Sequence, residues 1–579
     1  MGEHVDGSLE GEGLPPAGVP ATVLHPGTTT GPVLRLTEPL SLWGGTAADG
    51  TITDPHHPQR GASLAGAVVL MTTGRGSSSS SSVLTELLRS GHGPAAFVLA
   101  EPDGILTLGA LVAAELYDVH LPIALVPAAT HAALPDAGEL TVRCPPAPDH
   151  LAPITLTTDD RAMLAGAHGS GVALAMRLIV ALAQATGARE LLSVRSAHVD
   201  GCLYHGPASL DFAQRLVDLG ASVAVPTTSN VGSVDLLHPE VVRGDAEERE
   251  AGRALMTAYT RLGCRTTFTC APYQDLAARP ARGEHVAWAE SNAIAFVNSV
   301  VGARTARYGD FVDVSAAITG RVPAASYHLD ERRRADLVVD VRALAADPDG
   351  GAGLLAEDAG WGVLGLVVGG RVGSGVPAIV GASADTTEDQ LKAFAAGAAS
   401  SGTVGLFHVV GVTPEAPALA AVLPDHDLDT IVLSADDLRA ARDHLSPTET
   451  PPLDAVSLGT PHFSLDEFAR LAALLDDGGP PFHPDVEVFV SSSRAVLDAA
   501  RGAGHLDVIE AAGATLVADT CTYVTTILGP QVRHAMTNSA KWAWYAPSNV
   551  GVSVTLGTLA ECVASARAGT VVRDAVRWR

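Results

Sequence analysis

Two cysteines far apart in the chain stand where short apolar runs stop: TTFTC ends on Cys270 and LVADTC on Cys521. A third run, VSLG, stops just before Thr460 and His462. Thiolates suit metal and iron–sulfur centres, so one shared centre could draw on both cysteines. The competing reading is two thiols packed as small apolar groups, and no CxxC pair decides between them. The stretch SAHVDGCLYHG crowds His198, Asp200, Cys202, Tyr204 and His205 into eight residues beside Gly201 and Gly206. It reads either as a substrate pocket or as a polar loop with satisfied histidines. Cys202 and Cys264 fit a core equally well, and Cys144 lies in a proline-rich stretch.

The run Gly74-Arg75-Gly76-Ser77-Ser78 continues in serine to Ser82 and leads into a helical pattern. Free N–H groups and the positive dipole end at a helix start suit a carboxylate or phosphate. The same dipole favours a serine alkoxide at Ser77; the alternative is a serine-rich linker with a helix cap. AWAESNAI supplies Glu290, Ser291 and Asn292, and GARTARYGD supplies Arg304 and Arg307. The planar fork of an arginine matches a carboxylate in two parallel hydrogen bonds, although a single arginine is usually a surface charge. TNSAKWAWYAP holds Thr537, Asn538, Ser539 and Lys541, one of two lysines in the chain, the other being Lys392.

Elements must hold these groups in place. Residues 1–22, rich in Gly, Pro and Glu, read as a flexible leader. Residues 23–140 favour strands: VLRL, GAVVLM, AAFVLA and PIALVP are short, β-rich runs separated by Gly, Pro and His, with one helix over Val83–Arg89. TVRCPPAPDHLAP, residues 141–153, reads as an interdomain linker. From 154 to 579, strands alternate with amphipathic helices, and Ser464 with Glu467 forms a capping box. Such alternation implies parallel sheets wrapped by helices, with ligands beyond the carboxyl ends of the strands.

Composition narrows the class. The 579 residues carry 37 Lys+Arg against 64 Asp+Glu, a net of −27. That disfavours nucleic acid or an anionic membrane surface as the main partner. With 47% hydrophobic and 17% charged residues, large cores are affordable and global disorder is excluded. No apolar stretch approaches the roughly 18 residues of a membrane span. The acidic start lacks a secretion signal, and six cysteines are too few for a disulfide framework. A cytoplasmic α/β protein of several domains is the expectation.

The longer motifs are familiar in order. PLSLWGG, GRGSSSSSSVLTEL, SAHVDGCLYHGPASLDFA, PTTSNVGSVD, TCAPYQ, AWAESNAIAFVNSVVGARTARYGD, FHVVGVTPEAP, GTPHFS, DTC and TNSAKWAWYAP span nearly the whole chain. Together they resemble aconitase X. The resemblance implies a small β-rich swivel domain followed by a large multi-lobed α/β domain, here fused. For the fused branch it implies dehydration of cis-3-hydroxy-L-proline to Δ1-pyrroline-2-carboxylate; the split branch acts on mevalonate 5-phosphate. It further implies an iron–sulfur cluster, of the 2Fe-2S type, with Cys270 and Cys521 as thiolates. The swivel serine that serves as base carries over to Ser77, with Ser78 as the alternative. Split members have Cys where Thr460 stands, so either Cys562 completes the cluster's ligands or the cluster is smaller. Arg75, Arg304 or Arg307 would hold the substrate carboxylate, Asn230, Glu290, Asn292 and Lys541 would line the pocket, and His198 or His205 would protonate the departing oxygen. A binding protein without a cluster is the reading from another class. The expected partner is a small amino-acid-like molecule, with monomer and homo-oligomer both open.

Overall fold

In the computed structural model, which describes residues 6–146, 154–347, 351–446 and 452–574, the runs VVLM and AFVL are strands with every residue buried. They lie inside a closed barrel built from β1 (Asp6–Gly11), β2 (Val19–His25), β3 (Gly27–Arg35), β4 (Val68–Met71), β5 (Ala96–Leu99), β6 (Ile123–Leu125) and β7 (Glu139–Cys144). Its order is β1-β2-β6-β5-β4-β3-β7. β3 to β6 pair in parallel, β4 joined to β5 and β5 to β6 through a helix each, while β3 reaches β4 through a long loop; β1, β2 and β7 pair antiparallel.

Two boundaries differ from the sequence reading. The segment 1–22, expected as a leader, contributes β1 and most of β2, whose Leu9 and Ala21 face the barrel interior. One buried leucine contributes about 1.5–3 kcal/mol, enough to order a short strand despite flanking Gly and Pro. The linker expected over 141–153 begins as β7, with Val142 and Cys144 buried; residues 147–153 lie outside the described residues.

The serine run is largely helical. α1 spans Ser80–Arg89, three residues ahead of the expected start. Ser81 and Ser82 donate hydrogen bonds to the carbonyls of Ser78 and Ser79, and both Ser79 and Ser82 donate to the Asp310 carboxylate from the next domain. Hydroxyls otherwise unfavourable inside a helix are thereby satisfied.

Beyond the barrel, the alternating pattern resolves into three parallel sheets. One has the order Thr227–Ser229, Ala197–Val199, Ala287–Trp288. A second combines His408–Val409, Pro377–Val380, Leu337–Asp340 and Thr430–Val432. The third has five strands: Thr515–Val517, Glu487–Ser491, Ala455–Leu458, His534–Thr537 and Ser553–Leu556. The helices Asp358–Val372 and Glu388–Ser401 cross at backbone contact: a Cβ on Gly365 would lie 2.3 Å from the Phe394 carbonyl oxygen. The chain leaving that pair reaches the barrel, where the Gly402 carbonyl accepts from the Gly76 N–H at 3.1 Å. The carboxyl ends of the first and third sheets and the Gly76–Ser78 turn converge on one interior region. Among the described residues no helix is long and apolar enough to cross a membrane.

Candidate active site

Three of the buried polar groups follow the ends of strands. Asp200 comes one residue after Ala197–Val199, Asn230 one after Thr227–Ser229, and Glu290 two after Ala287–Trp288. Ser78, from the turn before α1, donates to Asp200 Oδ2 at 2.5 Å. The other Asp200 oxygen accepts from Asn230 Nδ2, which also lies 3.4 Å from Glu290 Oε2. The Asp200 N–H is held by Asp313 Oδ2 at 2.5 Å. Glu290 has a left-handed backbone, φ 68°, and its carboxylate caps the helix Ser291–Phe296 through the Asn292 N–H. Such strain in a non-glycine residue recurs at functional sites. The same Oε1 accepts from Lys541 Nζ and Asn292 Nδ2, both at 2.6 Å.

Asn292 links this network to the thiols, because its Nδ2 also donates to the Cys270 carbonyl at 3.0 Å. The ligating atoms of Cys270, His462 and Cys521 all lie within 4.8 Å of one another, and all three residues are buried. His462 donates its backbone N–H to Cys270 Sγ at 3.3 Å. Its ring nitrogens sit 3.1 Å from Thr269 Oγ1 and 3.2 Å from the Thr520 carbonyl oxygen. The turn carrying Cys521 is set by Asp519, at φ 62°, whose carboxylate receives two 2.6 Å hydrogen bonds from Arg494.

Burial governs the electrostatics. It raises the Asp200 carboxyl to about 6, helped by the facing Glu290 and opposed by the Ser78 and Asn230 hydrogen bonds. It raises Asp313 to about 7. Burial also works against the Glu290 and Lys541 charges, but each outweighs it for the other: Glu290 stays below its usual value and Lys541 well above. His198 falls to about 3 through burial and is neutral; its Nδ1 meets Thr228 Oγ1 at 2.8 Å and its Nε2 has no partner. The Cys270 hydrogen bond and burial push the Cys521 thiol well up.

Of the residues singled out in the sequence, Ser78, His198, Asn230, Glu290, Asn292, Lys541, Cys270 and Cys521 are gathered here. Others are not. Ser77, the expected base, is half-buried and spends its oxygen on the Ser79 N–H at 3.2 Å, shaping the turn into α1; its neighbour points into the cluster instead. Cys562 is packed in the apolar core of the third sheet, on the helix Leu559–Ala568, and does not join the two thiols; His462 stands beside them instead. His205 is lowered to about 4 by burial and stands edge-on to Trp43, with ring centroids 6.3 Å apart, lining a separate cavity of about 350 Å³. Arg304 pairs with Asp330 and the His328 carbonyl. Arg75 is bound to Asp54 at 2.7 Å, with Glu38 at 3.7 Å. Asp313, which holds the Asp200 N–H, was missed: it lies on the helix Val312–Thr319, where no sequence motif marked it. Thr460 Oγ1 and Asn538 Oδ1, both buried without partners, line a small cavity of about 20 Å³ with Lys392 and Lys541.

Comparison with known proteins covers the whole architecture. Residues 19–142 match the aconitase X swivel domain, 153–331 its first domain, 335–443 its second and 453–568 its third. The chain is 42% identical to the cis-3-hydroxy-L-proline dehydratase of Pseudomonas aeruginosa over 97% of its own length and 98% of that protein. It is 38% identical to the enzyme of the same name from Hypocrea jecorina, over 93% and 94% of the two chains. The phosphomevalonate dehydratase large subunit of Methanothermobacter thermautotrophicus is also 38% identical, but over 68% of this chain and 94% of that one. The crystal structure of Thermococcus kodakaraensis aconitase X (holo-form) superposes with a TM-score of 0.63 at 33% identity, covering 71% of this chain and all of that one.

Proposed function

The chain belongs to the aconitase X family, and from that premise we propose that it is a hydro-lyase converting cis-3-hydroxy-L-proline to Δ1-pyrroline-2-carboxylate and water. The observation that carries the reading is the meeting of Ser78 from the barrel with Asp200 and the Glu290–Lys541 pair, alongside two converging thiols. Full-length similarity to fused dehydratases of that name supports this substrate. The alternative, a phosphorylated substrate, has the shorter similarity behind it: the phosphomevalonate dehydratase large subunit matches 68% of this chain, against 97% for the cis-3-hydroxy-L-proline enzyme.

The chemistry has two demands. The Cα proton is weakly acidic and needs a base; the C3 hydroxyl is a poor leaving group and needs a proton or a Lewis acid. Ser78 takes the Cα proton while its own hydroxyl proton passes to Asp200. With its carboxyl at about 6, Asp200 is ionised and ready to accept at neutral pH. Lys541, held charged by Glu290, stabilises negative charge as it develops. The C3–O bond breaks, the hydroxyl leaves as water with the proton that Asp200 took up through Ser78, and the resulting enamine tautomerises to the cyclic imine.

The donor set suits a thiophilic centre in part. Cys270 and Cys521 would hold an iron–sulfur cluster, while both His462 nitrogens are engaged by the protein and Thr460 Oγ1 remains unpartnered. When bound, such a cluster supplies Lewis acidity for the departing hydroxyl. All six cysteines are buried free thiols, in keeping with a cytoplasmic setting.

The test is product analysis by NMR with purified, anaerobically prepared protein. Formation of Δ1-pyrroline-2-carboxylate from cis-3-hydroxy-L-proline is the expected result. Turnover of mevalonate 5-phosphate alone would overturn the substrate assignment.

A further inference from the structure

The motif GARTARYGD runs on into FVD, and the two carboxylates of that stretch serve different partners. Asp310, from the first domain, sits at the start of α1 in the barrel. Ser82 Oγ donates to its Oδ2 and Ser79 Oγ to its Oδ1 at 3.4 Å, while Ser81 Oγ donates to its carbonyl oxygen at 3.3 Å. The approach is close: a Cβ on Gly309 would lie 2.7 Å from Ser81 Oγ. α1 has no acidic residue in its first turn, and its N-cap Ser79 makes no capping side-chain bond. The first domain therefore secures the start of a helix that belongs to the swivel barrel.

Three residues on, Asp313 holds the other half of the site. Its Oδ2 accepts the Asp200 N–H at 2.5 Å, its Oδ1 accepts the N–H of Val314 at 2.6 Å, and the Gly201 N–H is bonded to it as well. Between the two acids stands Phe311 at φ 85°, a left-handed conformation that bulky residues avoid. Such an outlier persists only where its surroundings over-determine it. Here the Phe311 ring lies T-shaped on Phe212, with centroids 4.7 Å apart, and the helix that follows, Val312–Thr319, is buried along its whole length. Three residues of chain span at most about 11 Å, and this turn has no freedom to stretch or bend. Ser78 is thus tied to Asp200 twice: directly, through the 2.5 Å hydrogen bond, and by a second path through α1, Asp310, the strained turn and Asp313.

Resting on the dehydratase reading, we infer that Asp310 and Asp313 are positioning residues: the turn Gly309–Asp313 is a rigid spacer that fixes Ser78 against Asp200, and it does so only while the barrel is docked. Asp310 acts through Ser79 and Ser82, and Asp313 through the Asp200 backbone. Misplacing a reacting group by 1 Å costs about a hundredfold in rate. Burial, with Asp200 and Asp313 nearby, pushes the Asp310 carboxyl well above its usual range, so asparagine is its nearest substitute. Serine hydroxyls accept as well as donate, and can bond to that amide.

The test compares wild type, Asp310→Ala, Asp310→Asn and Ser82→Ala, the last a change on the barrel side that leaves the first domain intact. Hydrogen–deuterium exchange resolved by peptide needs no turnover. Asp310→Ala should quicken exchange at the start of α1 and also across residues 199–202, the second effect travelling through the turn. In turnover of cis-3-hydroxy-L-proline, Asp310→Ala should lose about a hundredfold in kcat at unchanged KM, and Asp310→Asn should recover most of it. Ser82→Ala should lose less, and nothing beyond Asp310→Ala when the two are combined; if Asp310→Ala does not fold, Ser82→Ala carries the comparison. Added to Ser78→Ala, Asp310→Ala should cost no further rate, whereas a merely structural loss would multiply through. Faster exchange confined to α1 would overturn the inference. So would a folded Asp310→Ala enzyme of full kcat, or full multiplication of the two losses. If wild type leaves cis-3-hydroxy-L-proline unchanged, the substrate assignment fails on its own, and exchange at residues 199–202 decides whether the spacer stands.

Discussion

Replacing Ser78 by alanine removes one oxygen and probes the proton path at its first step. A positioned base contributes about 10²–10⁴-fold in rate, about 3–5 kcal/mol of barrier. The same change strips from Asp200 the donor now 2.5 Å from its Oδ2, and a hydrogen bond to a charged group is worth about 1.5–3 kcal/mol. Because that bond is one of the influences holding the Asp200 carboxyl down, its loss moves the carboxyl above about 6 and leaves less of it ionised. Ser77→Ala is the matched control. It forfeits only the 3.2 Å bond to the Ser79 N–H, a turn contribution of about 1 kcal/mol, with a rate within about fivefold of wild type. The assay is initial rates on cis-3-hydroxy-L-proline with protium or deuterium at Cα, with circular dichroism and unfolding midpoints as checks on folding. Ser78→Ala should fall by two orders of magnitude or more while remaining folded. A folded Ser78→Ala enzyme of near wild-type rate, or a dead Ser77→Ala, would refute the geometry argued above.

Five further outcomes are expected. Activity should rise with pH through about 6, where Asp200 ionises against Glu290, Asp310 and Asp313, and Asp200→Asn should abolish that limb of the rate profile. In stability the sign is opposite: a carboxyl raised in the fold favours the protonated native state, so its contribution is complete below the unfolded value near 4 and is lost as pH rises through about 6; urea midpoints of wild type and Asp200→Asn across that window check this. Lys541→Met leaves the buried Glu290 charge unpaired and should cost about 3–5 kcal/mol, part of which returns in the Lys541→Met/Glu290→Gln double variant; strictly additive losses in denaturant unfolding would contradict the coupling. Cys270→Ser and Cys521→Ser should lose bound iron by elemental analysis, whereas Cys562→Ser should keep it. Gly76→Ala forces a side chain into a left-handed conformation, about 1–2 kcal/mol, against Ser41 and Tyr545; kcat should drop by more than the unfolding midpoint explains.

The parts of this site that were legible from sequence, and the parts that were not, divide along a physical line. Cys521 was legible because parallel strands deliver their carboxyl ends to one side of a sheet and it lies just beyond Thr515–Val517; Cys270, read the same way, follows only an isolated bridge at Arg265, and Asn230 and Glu290 were legible through the motifs that hold them. Direction within a turn was not findable. Ser77 and Ser78 are chemically identical neighbours, and which one faces Asp200 depends on where α1 begins, which Asp310 settles from 228 residues away by accepting from Ser82. Long-range pairing hid β1 in the same way: DGSLEG looks like linker until β2 and β7 flank it. Arg304 and Arg307 share one short motif, yet an acid at Asp330 claims the first and leaves the second unpaired. Cys562 stands away from the two thiols and His462 beside them for a similar reason, since the helix Leu559–Ala568 packs into the apolar core of the third sheet while the turn holding His462 projects from a strand's carboxyl end. The same fact explains why the site demands docking of the swivel barrel. Gly76 is held by the chain leaving one helix pair through Gly402, by the first domain through Arg307, and against the third through Tyr545. A shift in any of these moves Ser78 relative to Asp200. The base is therefore a property of the assembled domains rather than of the serine motif itself.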